Sequence, residues 1–261
     1  MQTRALILAA GQGTRLRPYT NNKPKCLVPL SGKTLLERQL KTLQDNNIND
    51  IHIATGFCKD QIEKLGFDTS YNSQFASTNM VETLFSAKDF ISKGGDLIIA
   101  YGDIVYNDEN LKSLLSCKEE ICIMVDTKWK DLWSLRLENP LEDAETLVLD
   151  KNNFITELGK KPQNYDRIQG QYTGLIKINA NKTNDLISFY NMLDRSTDYD
   201  GNDFYNMYMT SFLQLLINKQ WRVKAVLVKN GWLEIDSVDD LKQFESMAHD
   251  KTLDKFYRIV D

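Results

Sequence analysis

A glycine-rich segment followed by two cationic side chains lies near the start of the chain. The apolar run 6–10 leads directly into Gly11-Gln12-Gly13-Thr14-Arg15, and Lys25 follows shortly after. Glycines let backbone N–H groups approach phosphate oxygens closely, and arginine and lysine neutralise phosphate charge. We therefore predict that this segment binds a phosphorylated ligand. For the Gly-x-Gly pair alone, a tight turn without a ligand is the alternative.

The spacing of this segment excludes two common nucleotide-binding motifs. Leu16 occupies the position at which a Gly-x-Gly-x-x-Gly dinucleotide motif needs its third glycine. No Gly-Lys-Ser/Thr completes a P-loop at the required spacing. Either motif would have indicated which class of ligand binds. The ligand class must therefore be inferred from the longer sequence pattern around the loop.

An aspartate follows the most apolar of the later stretches. Residues 97–104 predict a buried strand whose end delivers Gly102-Asp103. Ligands of open α/β sheets collect at the carboxyl ends of strands, and carboxylate oxygens are ligands that Mg²⁺ prefers. Asp103 is therefore a candidate metal ligand, and a turn or a helix N-cap is the alternative role.

A sheet with flanking helices must position these residues. Short apolar runs predict strands, whereas apolar spacing near 3.6 predicts helices. The predicted strands are 4–10, 49–55, 97–104, 120–126, a short one within 154–161, 172–178 and 222–228, and the predicted helices are 34–46, 58–66, a helix from Met80 and others within 181–220. Strands that alternate with helices indicate an α/β fold with a parallel sheet and right-handed crossovers.

The composition narrows the class of protein. The chain has 261 residues, of which 42% are hydrophobic, and its net charge of −4 argues against a nucleic-acid partner. No apolar run approaches the roughly 20 residues that a membrane span needs, so we expect no membrane partner. The four cysteines lack a Cys-x-x-Cys motif, and we interpret them as buried or incidental thiols in a reducing compartment. With no signal-peptide pattern, we expect a cytoplasmic protein.

The longer N-terminal pattern resembles a family signature. It reads Leu-Ala-Ala-Gly-x-Gly-Thr-Arg-Leu-x-Pro-x-Thr, followed by Pro-Lys-x-Leu-x-Pro-Leu. It is similar to the signature of the nucleotidyltransferases (pyrophosphorylases) that activate sugar phosphates or phosphocholine. The resemblance implies a single domain over residues 1–261, with a Rossmann-like (GT-A-like), mixed and mainly parallel sheet flanked by helices. Residues 1–126 would form the nucleotide-binding half, and residues 127–261 the acceptor-binding half with a small acceptor-binding subregion.

The resemblance implies roles for individual residues of the nucleotide-binding half. Arg15 and Lys25 would act in catalysis by stabilising the triphosphate and the departing pyrophosphate. Asp236 lies in the Trp-x-x-Ile-Asp context of the family, and would join Asp103 in holding Mg²⁺. The implied nucleotide-binding residues are Leu8, Ala10, Gly11, Gly13, Thr14, Arg15, Lys25, Ser77, Thr78, Asn79 and Gly102.

The implied acceptor site combines a cation with aromatic and acidic side chains. Gly-Lys-Lys-Pro at 159–162 resembles the Glu-Lys-Pro element of sugar-activating members, but lacks its carboxylate. Aromatic and acidic groups would suit a choline-like amine through cation–π contact, or the amino and carboxylate groups of a phosphorylated amino acid. The implied acceptor-binding residues are Lys160, Glu145, Trp129, Trp133, Tyr172 and Gly174. Packing at the edge of the core is the alternative for the aromatic residues, and solvation is the alternative for the lysine.

The function implied by the resemblance is Mg²⁺-dependent transfer of a CMP moiety from CTP to a small phosphorylated or phosphonate acceptor, with release of pyrophosphate. Asn-Met-x-x-Thr-Leu at 79–84 is similar to the branch that activates phosphocholine, which favours CTP. Two alternatives stay open: a sugar-1-phosphate enzyme that uses dTTP, UTP or GTP, and a non-catalytic regulatory homologue. A homodimer and a role in cell-surface polysaccharide biosynthesis are further expectations.

Overall fold

A seven-stranded sheet forms the centre of the computed structural model, which describes residues 2–260. Three short two-stranded ribbons accompany it in this part of the chain. The strands in chain order are β1 (Thr3–Ala9), β2 (Pro29–Leu30), β3 (Lys33–Thr34), β4 (Asp50–Thr55), β5 (Asp68–Tyr71), β6 (Asp96–Tyr101), β7 (Ile104–Tyr106), β8 (Ile121–Asp126), β9 (Leu147–Leu149), β10 (Ile155–Leu158), β11 (Gln171–Ile178), β12 (Val223–Val228) and β13 (Trp232–Glu234).

The central sheet is mixed and mainly parallel. Its strand order is β12-β8-β11-β6-β1-β4-β5. Only β11 runs against its neighbours β6 and β8, and the other pairs are parallel. β1, β6 and β8 are almost entirely buried and apolar, as expected for parallel strands that are covered on both faces. The predicted α/β architecture is confirmed.

Helices flank this sheet. Over residues 2–260 they are α1 (Leu35–Asp45), α2 (Lys59–Glu63), α3 (Met80–Ser86), α4 (Lys88–Ile91), α5 (Asp108–Ser116), α6 (Trp129–Arg136), α7 (Thr183–Met192), α8 (Met209–Asn218) and α9 (Val238–His249). α1 begins at a capping box between Thr34 and Glu37. α9 begins at a second one, in which Ser237 accepts a hydrogen bond from the backbone N–H of Asp240. These caps satisfy backbone donors that a helix leaves free at its start.

The strand directions bring several chain segments to one edge of the sheet. β1 and β6 end together, because Leu8 is level with Tyr101 in their parallel register. β11 runs the other way and pairs Leu175 with Ala100, so its amino end, residues 171–174, reaches the same edge. An antiparallel strand inside a parallel sheet therefore adds its first residues to the ligand edge.

A short ribbon brings the C-terminal part of the chain to this edge. β13 pairs with β7, with Glu234 opposite Ile104. The backbone N–H of Ile235 donates to the carbonyl of Asp103 at 3.1 Å. This pairing places Asp236 beside Asp103, although the two residues are far apart in the sequence.

The structure corrects the interpretation of the cysteines. Cys117 and Cys122 form a disulfide across the turn between α5 and β8. Cys26 is a buried free thiol, and Cys58 is a partly exposed one. The prediction that all four are thiols is wrong for the first pair, because the turn brings two cysteines five residues apart into bonding contact.

Some predicted elements differ in extent. The strand predicted over 97–104 ends at Tyr101, because the chain turns at Gly102-Asp103, and β7 starts at Ile104. The charged tail 249–261 contains the end of α9 and one turn of 3₁₀-helix at Leu253–Lys255, and its last residue lies outside the described range. No helix in the described chain has both the length and the apolar character needed to cross a bilayer.

Candidate functional site

Four charged side chains converge at the carboxyl ends of β1 and β6. Lys25 Nζ donates to Asp103 Oδ2 and to Asp236 Oδ1, at 2.7 Å in each case. Arg15 forms an ion pair with the other carboxylate oxygen of Asp236. The Lys25 side chain is 13% exposed, whereas that of Arg15 is 69% exposed. We call these four residues the charged cluster.

Two glycines let the backbone segments of the cluster approach one another. Gly13 has φ +60°, and a Cβ there would lie 3.1 Å from Cβ of Lys25. At Gly102, a Cβ would lie 2.7 Å from the carbonyl oxygen of Leu8, to which the Gly102 N–H donates at 2.9 Å. A side chain at Gly102 would therefore push the turn that carries Asp103 away from β1.

Lys25 keeps its charge in spite of burial. Burial alone lowers the pKa of Lys25, but the negative charges of Asp103, Asp236 and Glu234 outweigh this effect and raise the pKa above its ordinary value. A buried charge persists when hydrogen-bonded partners of opposite charge surround it. The site therefore contains a fixed cation between two carboxylates.

Glu234 is a third carboxyl group beside the cluster, and the sequence analysis missed it. Burial, followed by the charge of Asp103, raises the pKa of Glu234, while Arg136 and Lys25 oppose this rise. Arg136 NH1 donates to Glu234 Oε2 at 3.3 Å. The signal that the sequence offered was the i, i+2 spacing of Glu234 and Asp236, which places two side chains on one side of an extended chain.

A first cavity of about 300 Å³ opens beside the glycine loop. Most residues predicted to bind the nucleotide and metal line it, namely Leu8, Ala10, Gly11, Gly13, Thr14, Arg15, Lys25, Gly102, Asp103 and Asp236. Met80 and Thr83 of α3 complete the wall. The first cavity therefore has glycine backbone on one side and the charged cluster on the other.

A second cavity, of about 200 Å³, adjoins the first. Four predicted acceptor residues line it: Trp133, Glu145, Tyr172 and Gly174. The two cavities share wall residues, which are Arg15, Met80, Tyr101, Glu234 and Asp236. Arg15 and Asp236 of the charged cluster consequently lie at the junction of the two cavities, whereas Lys25 and Asp103 line the first cavity alone.

The second cavity has acidic and aromatic walls. Burial raises the pKa of Glu145 to about 7; a hydrogen bond from Thr210 opposes the rise, and the charge of Asp143 adds to it. Thr210 Oγ1 donates to Glu145 Oε1 at 3.4 Å. Trp133 Nε1 donates to Asp143 Oδ2 at 3.0 Å. This wall can therefore accept hydrogen bonds from a cationic or amide-bearing ligand.

Two predicted acceptor residues contribute to neither cavity. Trp129 is buried, and its ring packs edge-to-face against that of Trp133 with centroids 5.8 Å apart. Lys160 forms an ion pair with Asp200 instead of facing the second cavity. Trp129 supports the aromatic wall from behind, since its apolar spacing on α6 places it in the core.

The predicted base-reading loop also lies outside the first cavity. Ser77 and Thr78 donate their hydroxyls to the carbonyl of Gln74. Asn79 caps α3 by accepting a hydrogen bond from the N–H of Met80 at 2.7 Å. Asn79 also donates its side-chain amide to the carbonyl of Asn206. Met80 and Thr83 of α3 line the first cavity instead of these three residues.

The donor set at the cluster fits a hard divalent cation such as Mg²⁺. Asp103 Oδ1 is buried and has no hydrogen-bond partner within residues 2–260, and such an oxygen is costly unless a donor or a cation reaches it. In the same part of the chain, no group of three or more His, Cys, Asp or Glu side chains could hold a metal ion. Proteins commonly bind Mg²⁺ through one or two carboxylates together with substrate phosphates, which is the arrangement that Asp103 and Asp236 offer.

Residues 5–144 match the family model of the MobA-like NTP transferase domain. The chain belongs to this family. It is 45% identical over 247 residues to the CTP:phosphoglutamine cytidylyltransferase of Campylobacter jejuni, an alignment that covers 91% of this chain and 97% of that protein. The prediction of a nucleotidyltransferase is thereby confirmed.

Two further matches extend over nearly the whole chain. The choline-phosphate cytidylyltransferase of Streptococcus pneumoniae is 27% identical over 252 residues, which covers 94% of this chain and 97% of that protein. The solved structure of CTP:phosphocholine cytidylyltransferase from Streptococcus pneumoniae aligns with a TM-score of 0.70 at 22% identity, over 95% of this chain and 100% of that chain. The match to this solved structure shows that the two chains share a fold.

Proposed function

We propose that the protein transfers a CMP moiety from CTP to a small phosphorylated acceptor and releases pyrophosphate. The observation that carries this proposal is that Arg15 and Asp236 of the charged cluster lie at the junction of the two cavities, with Lys25 and Asp103 beside them in the first. A nucleotide in the first cavity and an acceptor in the second would bring their phosphates together there. The relatives from Campylobacter jejuni and Streptococcus pneumoniae are named as cytidylyltransferases, which supports CTP over dTTP, UTP or GTP.

The chain's own cations would supply most of the catalysis. The backbone at Gly11, Gly13 and Thr14 would bind the triphosphate, and Leu8 and Ala10 would contact the base. Arg15 is free to reorient because its side chain is mostly exposed, and Arg15 and Lys25 would neutralise the departing pyrophosphate. One preorganised charge of this kind is worth about 3 kcal/mol of barrier. An acceptor phosphate is already a nucleophile at neutral pH, so the reaction needs no general base.

We propose that Asp103 and Asp236 hold Mg²⁺. When bound, the ion would polarise the phosphate that is attacked and neutralise its charge. Lys25 contacts one oxygen of each of these carboxylates, so Lys25 and the ion compete for the same pair of side chains. Triphosphate oxygens would give Lys25 alternative partners, which couples nucleotide binding to metal binding.

We propose that the acceptor is a phosphorylated amino acid of the phosphoglutamine type. The relative named for phosphoglutamine is 45% identical, whereas the one named for choline phosphate is 27% identical. In the second cavity, Asp143 and Glu145 offer counter-charges for an ammonium group, and the hydroxyl oxygen of Thr210 can accept a hydrogen bond from an amide group. Such polar groups would discriminate against a choline head group, which donates no hydrogen bonds.

Several wider expectations remain proposals. A single domain over residues 1–261 is supported by β11 and β12, which lie in the predicted acceptor-binding half and join the same sheet as β1. The homodimer and the role in cell-surface polysaccharide biosynthesis rest on the family resemblance, and the cytoplasmic location stays an expectation from the sequence. Sedimentation of the purified protein tests the dimer directly.

The deciding experiment measures pyrophosphate release with Mg²⁺. It crosses CTP, UTP, dTTP, GTP and ATP with phosphoglutamine, phosphocholine, 2-aminoethylphosphonate and glucose 1-phosphate. We expect turnover with CTP and phosphoglutamine, and its loss in Asp103→Asn. Preferential turnover of glucose 1-phosphate with another nucleotide would replace this proposal with the sugar-activating alternative.

A further inference from the structure

A buried arginine links three chain segments around the charged cluster. Arg136 lies at the end of α6, and its side chain is 7% exposed. Its Nε and NH2 donate to the two carboxylate oxygens of Asp240, at 2.9 and 3.1 Å. Its NH1 donates to Glu234 at 3.3 Å. One guanidinium therefore bridges α9 and β13 from α6.

Asp240 carries this contact onward to Asp236. The oxygen Oδ2 of Asp240 accepts hydrogen bonds from the backbone N–H groups of Asp236 at 3.1 Å and of Ser237 at 2.9 Å. These two N–H groups belong to the segment in which the chain leaves β13 and enters α9. The carboxylate of Asp240 therefore determines where the Asp236 backbone lies, and Arg136 holds that carboxylate in place.

The same arginine touches the shared wall of the two cavities. Glu234 lines both cavities, and Arg136 is its hydrogen-bond donor. One turn earlier on α6, Trp133 lines the second cavity, and the Arg136 guanidinium lies 5.6 Å from the centre of its ring. α6 thus connects the aromatic wall to the segment that carries Asp236.

We propose that Arg136 is a positioning residue for the reaction, which acts on Asp236 through Asp240 and on Glu234 directly. This inference rests on the proposed function, in which Asp236 holds a divalent cation. Residues that orient a metal ligand through hydrogen bonds typically change metal affinity by about 10–100-fold when they are replaced. A purely structural tie between α6 and α9 would change stability and leave metal affinity alone.

The test compares Arg136→Lys with a matched control, Arg4→Lys. Lysine keeps the charge but cannot reproduce a planar fork that reaches three carboxylate oxygens. Arg4 also has a buried side chain, and it donates to the backbone carbonyls of Phe90 and Ile91, at the amino end of β1 and away from the cluster. Mn²⁺ binding to the CTP complex is followed by electron paramagnetic resonance without acceptor, and CTP binding is measured separately in EDTA.

We expect Arg136→Lys to weaken Mn²⁺ binding by about 10-fold or more, with CTP binding in EDTA unchanged. Arg4→Lys should lower the melting temperature without changing Mn²⁺ affinity. Asp240→Asn should weaken Mn²⁺ binding in the same way as Arg136→Lys, and it serves as the test variant if Arg136→Lys does not fold. The asparagine keeps an oxygen for the two backbone N–H groups but loses the charge that pairs with Arg136.

Two results would overturn the inference, and they are distinguishable. Normal Mn²⁺ affinity in both Arg136→Lys and Asp240→Asn, together with reduced stability, would make the arginine a structural tie only. Failure of the wild-type CTP complex to bind Mn²⁺ would remove the metal site, and with it both this inference and the metal part of the proposed function.

Discussion

Replacing Lys25 by methionine removes the cation that lies between Asp103 and Asp236. The wild-type Nζ makes two contacts of 2.7 Å, and its side chain is 13% exposed. Breaking a buried ion pair by removing one partner costs about 3–5 kcal/mol, because the remaining charge is left unpaired. The partial exposure places the expected cost near the lower end, at about 3 kcal/mol.

This cost should appear as a lower melting temperature. For a chain of this size, 1 kcal/mol corresponds to roughly 2–4 °C, so Lys25→Met should melt roughly 6–12 °C below wild type without metal. Mg²⁺ should reverse much of this loss, because it can occupy the position that the ammonium has left. At 100 times its dissociation constant, a bound ion stabilises by about 2.7 kcal/mol.

The informative quantity is the difference between the two Mg²⁺-induced shifts, measured by calorimetry at constant ionic strength without nucleotide. In wild type, the ion must compete with the Lys25 charge for the same two carboxylates, so the shift should be small. In Lys25→Met, it should be larger by at least about 5 °C. Lys41→Met is the control, because the exposed pair of Lys41 with Asp45 contributes less than about 1 kcal/mol. Equal Mg²⁺ shifts in wild type and Lys25→Met would refute the competition between Lys25 and the ion.

Four further variants test other parts of the site. Asp103→Asn should reduce turnover by at least about 100-fold with an unchanged circular dichroism spectrum, and unaltered turnover would remove Asp103 from the metal site. Gly102→Ala should lose about 1–3 kcal/mol of stability by urea unfolding, because its Cβ would lie 2.7 Å from a backbone oxygen. In Gly11→Ala, the new Cβ would meet nothing within 4 Å among residues 2–260, so this variant should be as stable as wild type but bind CTP more weakly. Equal destabilisation of the two alanine variants would contradict the different packing expected at the two glycines. The raised pKa of Glu145, about 7, means that the native carboxyl binds its proton more tightly than the unfolded chain does. Stability should therefore fall by up to about 3 kcal/mol as pH rises from 4.5 through 7, relative to Glu145→Gln, and parallel pH profiles of the two proteins would show that Glu145 is not perturbed.

Local patterns in the sequence were enough to predict the strands and the loop that form one side of the site. The apolar run of β1 and the adjoining Gly11-Gln12-Gly13 are neighbours in the chain, so periodicity and turn chemistry together predict a loop at the end of a buried strand. The same reasoning placed Asp103 at the carboxyl end of the strand that the structure shows as β6. These predictions succeeded because the carboxyl ends of parallel strands meet at one edge of a sheet, whatever the rest of the chain does.

Tertiary structure alone decided which distant side chains reach that edge. The pairing of β13 with β7 brings Glu234 and Asp236 to the turn of Asp103, and a ribbon of three residues per strand leaves no periodic signal. Arg136 reaches Asp240 only because the fold places the end of α6 near the start of α9. Conversely, Trp129 is a residue type that is common in ligand-binding cavities, but its ring is packed in the core. Residue type and local spacing indicate what chemistry is available. Strand register and side-chain rotamers determine which groups share a cavity. Register and rotamers depend on contacts between distant segments, which no local sequence pattern encodes.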